Sequence, residues 1–370
     1  MQSHILFVSL LNPALHRRIF FQLARSASTV FERVSVLGSG GAEKNYWQDG
    51  IQVIQKENFT RLSVHRLVRQ WEWYRVINQL APTHICFATP ELIPLMLYLK
   101  KTTGVKLIYD VHENYERNIL YGSGYAHFLR GFLATQVRRL EQSAVPDLDG
   151  VIYAETGFDN ILNVRDERKI ILRNVYTPSG QHCDLPLPPQ LYLLITGTLA
   201  PEWGILEAIE AFKIIAKQSD YHLVIAGYGN NQSFIQKLEI AVNGYPSIHV
   251  ESWTDAVSYP RIEQLIQHCT AGFAFYKPSL RMADRIPTKF YEYAAYGKPL
   301  FFSDFEPWNQ LNKQYHFGIP VIFDNPSKIA ACVLNVLQNN SLKFDSDPEF
   351  YSWECERNKW IDWLIQIKGQ

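Results

Sequence analysis

Three segments of this 370-residue chain carry side chains whose types and spacing suit chemistry. In Arg285–Pro299, Pro287 suits a first helical position and Gly297 a helix end, which predicts a helix over Pro287–Tyr296. Lys289 and Glu292 then sit three apart on one face near its start. A helix N-terminus carries partial positive charge and free N–H groups, so this end suits a phosphate. A carboxylate one turn further in can accept both hydroxyls of a ribose. An ordinary surface ion pair between Lys289 and Glu292 explains the same spacing, and from the residues alone both readings stand. Strand-like runs ending in Gly197-Thr198 and in Gly227-Tyr228-Gly229 form the second feature. Glycine there lets backbone approach a phosphate closely, although a single Gly-x-Gly is more often a plain turn. Third, Leu107–Tyr115 reads as a strand that runs into a turn carrying His112 and Glu113. Doubly wound sheets expose functional groups at that carboxyl end.

These side chains need a frame, and the sequence supplies one twice. Short apolar runs (His4–Ser9, Arg33–Leu37, His84–Ala88, Lys106–Tyr109, Gly150–Ala154, Ile170–Arg173) alternate with helical stretches such as His16–Ala27, Ser63–Leu80 and Tyr125–Ala144. After a Pro- and Gly-rich stretch the pattern restarts with Leu191–Thr196, His222–Ala226, Ile248–Glu251, Ala271–Tyr276, Pro299–Ser303 and Val321–Phe323. Such alternation predicts two α/β domains, each a parallel sheet covered on both faces. The expected boundaries are 1–178, a linker over 179–190, a second domain over 191–348, and a Trp-rich final helix over 349–370. A length of 370 residues agrees with two cores, because single cores stop growing near about 250 residues.

Composition narrows the function. Lys and Arg balance Asp and Glu at 36 each, which argues against a bulk nucleic-acid binder. The balance is a cancellation: residues 1–180 hold 21 basic and 16 acidic residues, the remainder 15 and 20. Five scattered cysteines with no Cys-x-x-Cys pair exclude a disulfide framework and a structural zinc site. With no signal-like start and no apolar stretch of spanning length, the expectation is a cytoplasmic chain, free or peripheral at the inner face of the membrane.

Read in order, Pro287-x-Lys289-x-Tyr291-Glu292-Tyr293-x-Ala295-x-Gly297-Lys298-Pro299 followed by a strand resembles the donor-binding signature of GT-B retaining glycosyltransferases, family 4, of bacterial polysaccharide type. The glycine segments at Gly197 and Gly227 are similar to that family's first two C-domain strands, and Asp110-x-His112-Glu113 to its N-domain cleft segment. The resemblance implies two Rossmann-like domains facing a central cleft, with a nucleotide-sugar held mainly by the second. It assigns Glu292 to the ribose hydroxyls and Asp284, eight positions earlier and shorter than the family's Glu, to donor-sugar hydroxyls. It sets Gly197, Thr198, Gly227, Tyr228 and Gly229 around the phosphates, and His112, with Glu113 second, at the reacting sugar. Arg17 and Arg18 fall in the family's acceptor loop by position. One departure is informative: Pro201-Glu202-Trp203-Gly204 puts Trp203 where a diphosphate-binding Lys is expected. A leaving diphosphate needs positive charge, so Arg281, Arg285 and above all Lys289 are the expected substitutes.

The implied reaction is front-face transfer, in which a donor phosphate oxygen takes the acceptor proton. It calls for no enzyme nucleophile, no metal and no cofactor beyond the donor. Asp147–Asp149 and Asp345–Asp347 are formally Asp-x-Asp but read as turn or cap acids. The expected acceptor is a saccharide or polyprenyl-linked saccharide, with no nucleic-acid partner. Phe128, Leu129, Phe132 and Leu133 alternate with Arg130, Arg138 and Arg139, which suits an anionic bilayer and equally a core-packed helix with a solvated basic face. The final helix either crosses back onto the first domain or packs on the second. Two rival functions share the fold: a sugar-nucleotide 2-epimerase, and a degenerate glycosyltransferase that binds without turnover, a reading Trp203 motivates.

Overall fold

The structure, a computed structural model, describes all residues except 1, 58–69, 123–124, 190, 278, 280–281, 283–284, 340–343, 345 and 370. The chain divides into two compact units, Met1–Thr177 with Trp353–Gln370, and Pro178–Ser352.

The sheet of the N-terminal unit contains β1 (His4–Pro13), β2 (Arg33–Ser39), β3 (Lys44–Gln48), β4 (Ile51–Lys56), β5 (His84–Ala88), β6 (Lys106–Val111), β7 (Gly150–Tyr153) and β8 (Lys169–Ile171). Its order is β3-β4-β2-β1-β5-β6-β7-β8, parallel except for β3 against β4. β1 alternates cleanly: Leu6, Val8 and Leu10 join a core with Trp73, Ile77, Met96 and Leu99, while Ile5 and Phe7 are buried on the other side. Each such side chain contributes about 1.5–3 kcal/mol by leaving water. The β3–β4 hairpin departs from the all-parallel expectation. Its signal is Asp49-Gly50, a two-residue turn in which both residues have positive φ, 52° and 74°.

The final helix, Trp353–Gly369, belongs to this unit. Trp353 Nε1 donates to Ser26 Oγ (3.2 Å) and Trp360 Nε1 to Leu23 O (3.1 Å). Buried Glu356 accepts from Arg173 Nη2 at 2.7 Å. A separate short helix, Pro348–Tyr351, precedes it in the other unit, so the expected single helix is broken at Ser352.

Among the described residues the C-terminal unit has six parallel strands: β9 (Tyr192–Thr198), β10 (His222–Tyr228), β11 (Ile248–Ser252), β12 (Ala271–Ala274), β13 (Leu300–Ser303) and β14 (Gly318–Val321). Their order, β11-β10-β9-β12-β13-β14, is the doubly wound pattern in which the chain reverses direction between its first and fourth strands. The segment expected as a linker is tied into this unit. Ser179 N donates to Glu263 Oε1 (2.9 Å), and Gln264 Nε2 donates to Cys183 O and Leu185 O (2.9 and 3.0 Å), along the helix Tyr259–His268.

Candidate active site

In the C-terminal unit the strand-order reversal lies between β9 and β12, and ligands bind doubly wound sheets there. Gly197 and Gly227 pair across β9 and β10, as do Thr198 and Tyr228. Gly197 has φ +93°, which disfavours any side chain, and a Cβ there would collide with Lys289 Nζ. A Cβ on Gly227 would meet Gly197 O, and one on Gly229 would crowd Leu199 O. Glycine is thus favoured by the positive φ at 197 and by close backbone approach at 227 and 229.

The helix from the Arg285–Pro299 segment runs Thr288–Ala295, with Pro287 one position earlier than expected, at the cap, and Gly297 at φ +59° beyond its end. Its first turn sends Lys289 Nζ against Gly197, 5.8 Å from the centroid of the Trp203 ring, in cation–π range. Trp203 in turn packs 5.7 Å from Tyr276. Glu292 is buried rather than solvated, unlike a member of a surface ion pair. Lys289, Trp203, Thr198 and Tyr276 line a crevice of about 10 Å³ at the carboxyl ends of β9 and β12. Arg285 precedes the helix, its carbonyl accepting from Trp308 Nε1 (2.9 Å). Arg281 and Asp284 lie outside the described residues.

The N-terminal unit holds a second, more polar cavity of about 160 Å³, at the carboxyl ends of β1, β5 and β6. His112 and Glu113 line it, and so do Asn12, His16, Thr89 and Arg18. Under it lies a buried ionic chain. Arg18 Nε and Nη2 donate to the Asp110 carboxylate at 3.0 and 2.9 Å, and Nη1 donates to Leu172 O at 2.8 Å. Asp110 Oδ2, the oxygen that takes Arg18 Nε, also accepts from His112 Nε2. Burial alone would raise the Asp110 carboxyl, but Arg18 and His112 outweigh it and hold it well below the usual carboxylate range. A carboxylate fixed in this way selects the Nε2–H form of His112 and leaves Nδ1 as the ring's remaining polar atom. His16 stacks on His112 with centroids 6.1 Å apart. Burial, then the charges of His112 and Arg18, push His16 down to about 3. Glu113 accepts from Asn118 Nδ2.

Arg18 therefore does not face an acceptor with a free guanidinium; at 1% exposure it is the counter-ion of Asp110. It sits in the π-helix Arg17–Ala24, and its side chain reaches Asp110 on β6. Arg17 lies over the Tyr176 ring, 5.8 Å from its centroid. Sequence reasoning quoted Asp110 in the cleft segment without giving it a role, and gave none to His16 or Thr89. Asp110 had a signal, an acid inside a buried strand two residues before His112. Thr89 had none: it takes φ +87°, a strained setting for a β-branched residue, and is 2% exposed. Its Oγ1 and the Nδ1 of His16 are buried without a hydrogen-bond partner.

Asp149 accepts from Leu107 N (2.8 Å) and Lys100 Nζ (2.6 Å), and Asp347 caps the helix Pro348–Tyr351. Asp345 lies outside the described residues. Among the described residues, no three or more His, Cys, Asp or Glu side chains cluster as metal ligands, and no helix is long and apolar enough to cross a membrane.

Two doubly wound units of this kind define the GT-B fold. Residues 185–348, within the C-terminal unit, match the family model described as glycosyl transferases group 1. Sucrose-phosphate synthase from Thermosynechococcus elongatus superposes with a TM-score of 0.67 at 11% identity, covering 98% of this chain and 95% of that one. Anabaena HepE in complex with UDP and glucose gives 0.64 at 12%, covering 98% and 100%. The Escherichia coli trehalose-6-phosphate protein bound with UDP-2-fluoro glucose gives 0.60 at 12%, covering 99% and 95%. The chain has no significant sequence match among curated proteins.

Proposed function

We propose that this chain is a retaining glycosyltransferase that moves a sugar from a nucleoside-diphosphate sugar to a saccharide or lipid-linked saccharide acceptor, in assembly of a bacterial surface polysaccharide. One observation carries the reading. Inside the region that matches the group 1 model, Lys289 is aimed at a glycine at the end of β9, and buried Glu292 stands one turn behind it. Two of the structural neighbours hold UDP or a UDP-sugar, so a UDP-sugar is the first donor to test.

The roles follow from charge and reach. Glu292 accepts the two ribose hydroxyls and fixes the nucleoside. Lys289 and the amides of the helix start neutralise the diphosphate as negative charge develops on it. The glycosidic bond to phosphate breaks while the acceptor oxygen bonds to the same carbon on the same face. The acceptor proton passes to the departing diphosphate, so the sugar keeps its configuration. His112, held by Asp110 and Arg18, offers Nδ1 to a hydroxyl of the reacting sugar. Trp203 restrains Lys289 through its ring face, which accounts for its place where a Lys is usual.

The test measures nucleotide release from UDP-sugars with and without saccharide acceptors, for the wild type, Glu292→Ala and His112→Ala. Acceptor-dependent release that both substitutions abolish is expected. Epimerised donor without acceptor contradicts transfer, and nucleotide binding without turnover assigns the chain a binding role.

A further inference from the structure

The helix His127–Ala144 of the N-terminal unit is oriented with its largest side chains outward. Its buried residues are Ala134, Glu141 and Ala144, and Leu140 packs on the core beside them. Phe128 is 82% exposed, Phe132 63% and Leu129 41%. Burying a phenylalanine is worth several-fold more in stability than leaving it in water, so two exposed ones a turn apart mark an interaction surface.

Positions 128, 132, 135 and 139 fall on a single stripe of a helix with 3.6 residues per turn, so Phe128, Phe132, Thr135 and Arg139 share the outward face. Arg138 flanks it, 66% exposed at its side chain and 3.4 Å from Glu116 of the neighbouring helix Tyr115–Tyr121. The helix carries one acid, Glu141, which is turned inward and accepts from Tyr109 Oη at 2.7 Å. The exposed face is therefore aromatic at one end and cationic at the other, with no acid of its own.

We propose that this outward face docks onto an anionic lipid bilayer, with Phe128 and Phe132 entering the acyl boundary and Arg138 and Arg139 meeting the headgroups. Charge selects this occupant. A bilayer presents an apolar layer beneath a plane of negative charge, and this helix offers rings for the first and guanidinium groups for the second. The inference deepens the proposed function by giving a lipid-linked acceptor a surface to be met on. It rests on a different element from the donor site, so each can fail without the other.

Sedimentation of the full chain with vesicles of phosphatidylcholine, alone or with about one third phosphatidylglycerol, tests it. Binding is expected to the anionic vesicles only, and to weaken as salt rises. Phe128→Ser with Phe132→Ser should lower partitioning more than about tenfold. Arg139→Glu, which leaves the rings in place, should lower it about fivefold or more. Amide hydrogen exchange across Met1–Thr177 in the same variants should match the wild type, which confirms that this unit is folded. Wild-type partitioning by either variant, or equal partitioning into both vesicle types, overturns the proposal. So does a dimer in sedimentation velocity that the double substitution dissolves, which would give this face to a second copy of the chain.

Discussion

The carboxyl ends of β1 and β9 occupy the same place in the same strand order, yet the groups gathered there differ in kind. Below the cavity of the N-terminal unit, Arg18, Asp110 and His112 already satisfy one another, and no ligand is needed to complete the chain of charges. Among the described residues lining the crevice of the C-terminal unit, the charged one is Lys289, set against glycine backbone and an indole ring. The first arrangement is costly to break and orients a side chain. The second rests on a side chain that is cheap to alter structurally. Stability and activity should therefore separate between the two units under mutation.

The largest effect tests the first half of that contrast. Arg18→Met leaves the Asp110 carboxylate buried without its counter-ion, which should cost about 3–5 kcal/mol. Urea unfolding followed by hydrogen exchange should place the loss in Met1–Thr177 and leave Pro178–Ser352 protected. Adding Asp110→Leu should return most of it, because an apolar pair of similar volume replaces an ion pair at little cost. Loss spread over both units would break the comparison.

Lys289→Met tests the other half. Turnover should fall about 10²–10³-fold, as when one preorganised charge-stabilising group is removed, while stability should change by no more than about 0.5 kcal/mol. Equal losses of stability and turnover would make Lys289 a structural residue instead.

Acid should also distinguish the units. Burial comes first in lowering His16 to about 3, and His4 and His84 to about 4, all in the N-terminal unit. A base whose folded value is depressed takes up its proton more readily when unfolded. The stability it contributes is complete above about 6.5 and is lost as pH falls toward 3–4. Glu141 works in the opposite sense: burial raises it to about 7, so it favours the fold more as pH falls from 7 toward 4.5. The histidines outnumber it, and the N-terminal unit should lose on the order of 2 kcal/mol between pH 7 and pH 5, read as earlier exchange of its amides. The smallest effect sharpens this. Glu141→Gln removes the opposing contribution, so it should raise stability at pH 8 by about 1–2 kcal/mol and steepen the acid loss.

Most of the frame was legible because buried parallel strands read as apolar runs wherever they occur. The missed elements have specific causes. β3 carries polar residues on an exposed edge, with Asp49-Gly50 to announce it. β4 had a signal that was passed over, the buried apolar residues Ile51, Val53 and Ile54 in a short run broken by Gln52. In the site, Lys289, Glu292 and the glycines were legible because they are local to one helix or one strand end. Arg18 was expected to face an acceptor and is instead paired with Asp110, a partner 92 residues away of which spacing carries no trace. The strain at Thr89 is likewise imposed by the fold, not by its neighbours in sequence. The fate of the rings on His127–Ala144 was open in the sequence, because the pattern fixes which residues share a face but not which face is covered.

The central claim, that the C-terminal unit holds a nucleotide-sugar through Lys289 and Glu292, is tested most directly by calorimetric titration with UDP. Wild-type protein should bind, and Lys289→Met and Glu292→Ala should each weaken binding by about tenfold or more, equivalent to about 1.4 kcal/mol. Unchanged affinity in both variants would contradict it.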